Sequence, residues 1–67
     1  MKNHYIYFEV AIEGIVNCFN DFNIARDEYH ELKNCGFHEV TLRRIEVING
    51  DKYKAIWNDR SACFFIP

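Results

Sequence analysis

The sequence predicts a single α+β domain, a small antiparallel sheet of four to five strands with one helix packed on one face. Three observations predict it. Apolar residues alternate with period 2 in the first and third quarters of the chain. One intervening segment repeats its apolar residues at spacings of three and four, and glycine-containing turns separate the pieces. The chain has 67 residues, so residues 1–67 form one domain with one core. A domain this small buries only about 60% of the surface its unfolded chain exposes. Its 49% hydrophobic and 16% aromatic content implies that large side chains fill that core.

Residues His4–Ile12 place Ile6, Phe8, Val10 and Ile12 on one side and Tyr5, Tyr7, Glu9 and Ala11 on the other. That is the pattern of a half-buried strand. Glu13-Gly14 allows a turn, and Ile15–Phe19 follows as a short second strand. Asn20-Asp21 offers side-chain oxygens to the free N–H groups of a first helical turn. Phe22, Ala25, Tyr29, Leu32 and Cys35 then recur on one helical face, with Asp27, Glu28 and Glu31 off it. The spacing predicts a helix over 21–35, ended by Gly36 in a left-handed cap.

Phe37–Ile48 reads as the longest strand, but its phase breaks. Val40 and Leu42 are the apolar set before Arg43-Arg44, and Ile45 and Val47 are the set after. A one-residue shift turns every later side chain to the other face, so a β-bulge at Arg43-Arg44 is expected to return the apolar side to the core. Asn49-Gly50 marks a hairpin turn. A two-residue loop would set Val47 opposite Lys52 and Ile45 opposite Lys54. An odd-length loop would set Val47 opposite Tyr53, Ile45 opposite Ala55 and Arg43 opposite Trp57, and is the expectation. Asn58–Ser61 forms another turn, and Ala62–Ile66 closes the sheet with Phe64 and Ile66 inward. The expected core is Ile6, Phe8, Val10, Leu32, Val40, Leu42, Ile45, Val47, Trp57 and Phe64.

The charge balance, 8 Lys and Arg against 10 Asp and Glu, lacks the basic excess of a protein that grips phosphates through its overall field. Direct nucleic-acid binding is therefore expected to be weak or absent. Cys18, Cys35 and Cys63 are odd in number and form no C-x-x-C pair, which points to buried free thiols in a reducing compartment. No signal-peptide pattern and no run of 18 apolar residues occurs, so a cytoplasmic location off the membrane is expected.

The sequence carries no catalytic or metal set. Cys35 and His38 have a C-x-x-H spacing without a second pair to complete a four-ligand zinc site. Ser61 is the only serine, and no G-x-S-x-G, Walker or H-E-x-x-H pattern occurs. No enzyme activity and no cofactor are expected. What remains is the sheet face the helix does not cover, with Tyr5, Tyr7, Glu9, Lys54, Ile56, Cys63 and Phe65, joined by Arg44 or Glu46 according to the bulge. An apolar and aromatic patch of this kind marks a partner or a second copy. The partner-binding candidates are Tyr5, Tyr7, Arg44 and Ile56, with Arg60 in the last turn.

Met1-Lys2, Tyr5-Ile6, Glu9-Val10, Phe37-His38, Arg44-Ile45-Glu46 and Asn49-Gly50 together resemble the ninth family of type I-F anti-CRISPR proteins. These are small phage-encoded inhibitors with strands flanking one helix. The resemblance implies a protein that binds a bacterial multisubunit complex, the type I CRISPR surveillance complex, at its Cas7 backbone. There it would block hybridisation of target DNA, in the cytoplasm of an infected host. Two other readings stay open. One is an inhibitor of another bacterial protein, such as a toxin or RNA polymerase. The other is a single-stranded nucleic-acid binder that uses Tyr5 and Tyr7 as stacking platforms.

Overall fold

The computed structural model describes residues 3–67; Met1 and Lys2, which the resemblance uses, lie outside the described residues. In chain order the elements are β1 (His4–Ile12), β2 (Ile15–Phe19), α1 (Phe22–Asn34), β3 (Thr41–Ile48), β4 (Asp51–Asn58) and β5 (Cys63–Phe65). The five strands form one antiparallel sheet in the order β2-β1-β3-β4-β5. The α+β architecture is the one the sequence predicts.

The helix is fixed at both ends by its own sequence. Asp21 Oδ1 accepts the N–H groups of Asn23 and Ile24 at 2.7 and 3.3 Å, which satisfies donors that have no partner inside the helix. At the other end Gly36 takes a φ of +100°. Its N–H bonds to the Lys33 carbonyl and that of Phe37 to the Leu32 carbonyl, the paired closure of a Schellman cap. Strand β3 begins only at Thr41, because the backbone between this cap and Val40 is not strand-paired; the expectation of a strand from Phe37 was too long.

On the helix side of the sheet Val10, Val40 and Leu42 meet Ala25 and Tyr29. Phe8, Ile12, Phe19, Phe22, Leu32, Trp57 and Phe64 pack around them, partly buried. Ile6, expected in the core, is 45% exposed. A 13-residue helix is about 20 Å long at 1.5 Å per residue, whereas the molecule measures 43 Å along its longest axis. The helix therefore does not reach Ile6.

The same mismatch explains the broken phase in β3, and it removes the bulge. β1 and β3 pair residue for residue from Ala11–Thr41 to His4–Ile48, and β3 and β4 from Arg43–Ile56 to Ile48–Asp51, without an extra residue. Leu42 faces the helix. Ile45 and Val47, three and five residues on, face the opposite side, yet they are 0% and 4% exposed. Tyr7 and Lys54 flank Ile45, and Tyr5 and Lys52 flank Val47. Lysine stems can cover apolar surface while their ammonium groups stay in water. The apolar stripe of β3 changes face where the helix ends, so the sheet has a core on each side, at opposite ends.

The turn at Asn49-Gly50 corrects a second expectation. It is the two-residue loop, with φ of +51° and +86°, the left-handed pair of a type I′ turn whose twist matches the strands. Val47 lies opposite Lys52 and Ile45 opposite Lys54, the pairing the sequence reading set aside because it mixed charge into an apolar row. At the last strand, Phe64 faces inward as expected, but β5 stops at Phe65 and Ile66 is 77% exposed.

Candidate functional site

The sheet face away from the helix is the first candidate surface. It is set by the strand register, which puts Tyr5, Val47 and Lys52 in one cross-strand row and Tyr7, Ile45 and Lys54 in the next. A further row runs across all five strands through Cys18, Glu9, Arg43, Ile56 and Phe65. Tyr5 and Tyr7 stack with ring centroids 6.2 Å apart and planes 24° from parallel. Tyr5 is 56% exposed and Phe65 is also exposed, while Tyr7 and Ile56 are half-buried.

Arg43, not Arg44, is the cation of this face, because the strand has no bulge. Its Nε lies 3.2 Å from Glu9 Oε1 but is not aimed at it for a hydrogen bond, so the pair is an electrostatic one. Lys52 and Lys54 add exposed positive charge beside the tyrosines. The structure thus puts Tyr5, Tyr7 and Ile56 on one face, with Ile56 two strands from the tyrosines, and Arg44 on the other. Arg60 is exposed in the β4–β5 turn, where Asn58 Oδ1 accepts its backbone N–H at 2.9 Å.

A second surface lies on the helix side. Trp57 and Phe64 pair across β4 and β5, the Phe22 ring at the start of α1 packs on both at 5.3 and 5.7 Å, and an open groove of about 880 Å³ runs along these rings. Phe8, Phe22, Arg26, His30 and Arg44 complete most of its lining. Trp57 and Phe64 pack against the core as the sequence predicts, partly buried, but sequence reasoning missed this groove. The signal was the position of Arg44 on the alternating pattern, which was attributed to a bulge instead.

The groove is bounded by a polar cluster around Asp59. Its Oδ1 accepts the Trp57 indole N–H at 2.8 Å, and its Oδ2 accepts the Lys33 ammonium at 2.7 Å and the Tyr29 hydroxyl at 3.0 Å. His30 Nε2 lies 3.5 Å from Oδ1. The hydrogen bond from Lys33, helped by those from Trp57 and Tyr29, lowers the Asp59 pKa to about 2 against the effect of burial. Burial raises the Tyr29 pKa, and the bond to Asp59 raises that of Lys33. These bonds tie the middle of the helix to the end of β4.

The three cysteines are free, but all are exposed, which corrects the expectation of buried thiols. Cys18 lies on an edge strand, Cys35 is the helix C-cap, and Cys63 opens the other edge strand. Those places are at the rim of the sheet and at a helix end, where a small apolar side chain has no core to enter. Among the described residues no three His, Cys, Asp or Glu side chains gather as a metal site requires, and no helix is long and apolar enough to cross a membrane. Compared with protein-family models, curated proteins and solved structures, the chain matches none.

Proposed function

We propose that this chain is a non-catalytic binding protein, an inhibitor of anti-CRISPR type. It docks its helix-free sheet face on the backbone of a bacterial type I CRISPR surveillance complex and obstructs hybridisation of target DNA. The observation that carries the reading is the stacked Tyr5–Tyr7 pair, on the same face as Ile56 and Phe65, with Arg43, Lys52 and Lys54 on the strands between β1 and β5. Aromatic residues inside a charged rim are the composition of protein interface centres. The resemblance supplies the partner class.

The test is gel filtration of the protein with a reconstituted type I-F surveillance complex, followed by a target-DNA binding assay. Co-elution and reduced DNA binding are expected. Tyr5→Ala combined with Lys54→Glu should weaken association by about 30-fold, the effect of losing one interface anchor of roughly 2 kcal/mol. Tyr5 is chosen over Tyr7 because it is the more exposed ring. A wild-type protein that neither co-elutes nor lowers DNA binding ends this reading. Direct capture of single-stranded nucleic acid, lost steeply with added salt, would instead favour the stacking-platform alternative.

A further inference from the structure

Arg44 holds a position where strand alternation calls for an apolar side chain. It points to the helix side, level with Phe8 on one neighbour and Ala55 on the other. Its guanidinium carbon lies 5.4 Å from the centre of the Phe64 ring. Its Nε is closed off from solvent and has no hydrogen-bond partner. Among the described residues no carboxylate lies within ion-pair distance of it. Arg44 is half-buried, so this one guanidinium nitrogen has lost water without gaining an acceptor, and the ring face recovers only part of that cost.

Arg26 stands on the helix side of the same groove, also against an aromatic ring. It is 5.4 Å from the Phe22 ring centre and has no carboxylate partner among the described residues. Between the two arginines, Phe22, Trp57 and Phe64 offer ring surface with centroids 5.1–5.7 Å apart. The groove volume of about 880 Å³ falls in the range of small-ligand sites, roughly 300–1,000 Å³.

We propose that this groove binds a small aromatic anion, its ring against Trp57 and Phe64 and its carboxylate or phosphate on Arg44, with Arg26 as the second cation. The charge count favours a single anionic group. Asp59 is already neutralised by Lys33, which leaves the two arginines against Asp27, also in the lining. A phosphodiester strand would bring repeated negative charge to a groove whose net surplus is one. The site lies on the side of the sheet away from Tyr5 and Tyr7, so it stands or falls independently of the proposed partner.

Trp57 is the only tryptophan, so its emission reports on the groove directly. The protein should be titrated with phenylacetate, AMP and adenosine. A saturable change in emission is expected with at least one of the two anions, with a Kd of about 1 mM or tighter, and none with adenosine at the same concentrations. Saturation by phenylacetate alone assigns an aromatic carboxylate, and by AMP alone a nucleotide. Arg44→Gln should weaken binding about tenfold or more, the effect of losing a charge-assisted contact. Arg26→Gln should weaken it about threefold, and it decides the question if Arg44→Gln lowers the melting temperature below the assay range. The proposal is overturned if neither anion saturates at about 10 mM, if adenosine binds as tightly as AMP with phenylacetate silent, or if both folded variants bind like wild type.

Discussion

Trp57 donates its indole N–H to Asp59 across 2.8 Å, two residues further along the chain, and this bond leaves the second carboxylate oxygen to Lys33 and Tyr29 of the helix. A side chain in an exposed turn thereby adds a polar link between the sheet and α1 at the edge of the groove. Asp59 and Lys33 are both substantially solvated, so solvent screening keeps the contribution small.

Asp59→Asn should cost about 0.5–1.5 kcal/mol at neutral pH, measured by urea unfolding. The pH dependence has a definite sign. The folded-state pKa lies below the ordinary 3.8, at about 2, so the stabilisation is fully present above about pH 4 and is lost as pH falls through 2. The gap between wild type and Asp59→Asn should therefore narrow between pH 4 and pH 2. A gap that stays constant over that window would show that the carboxylate's charge is not what stabilises the contact.

The second core gives a prediction that the helix side alone would not. Ile45→Ala should destabilise by about 2–5 kcal/mol, as much as Leu42→Ala, although no helix covers Ile45. Both side chains are fully or almost fully buried. Equilibrium denaturation of the two variants checks it, and a cost below about 1 kcal/mol for Ile45→Ala would contradict the burial.

Gly50→Ala should cost about 1 kcal/mol, measured by thermal unfolding. The space around Gly50 is open, so the penalty comes from its φ of +86° and not from a clash. Asn49→Gly, at a φ of +51°, should be tolerated within about 0.5 kcal/mol.

All three thiols should react with a thiol reagent in the native protein without denaturant, because all three are exposed. A count below three would mean that at least one is covered in solution.

Much of the fold was legible in the sequence, for reasons that can be named. β1, the Asp21 cap, the helical stripe and Gly36 each state their local geometry in a few adjacent residues. β3 did not, because its pattern was read against a single core. Arg44 and Glu46 face the helix side, where Glu46 meets His4 at 2.7 Å, and Ile45 and Val47 face away. No local rule distinguishes that arrangement from a bulge, since the length of the helix relative to the sheet decides between them. The hairpin register failed for the same reason, once Lys52 and Lys54 were counted as charges and their stems were not. Of the candidate residues, Tyr5, Tyr7 and Ile56 needed only the alternation within β1 and β4, whereas Arg44 changed sides with the bulge. The groove was not legible, because it depends on where the helix lies over β4 and β5.

The residues that roof Ile45 and Val47 are the same ones offered to a partner. A partner docked there as proposed would couple recognition to folding at this end of the molecule: in settling on Tyr5 and Tyr7 it would also seal the apolar side chains of Ile45 and Val47. Bound and free chains should then differ most in amide hydrogen exchange along the β3–β4 hairpin, and least beneath the helix.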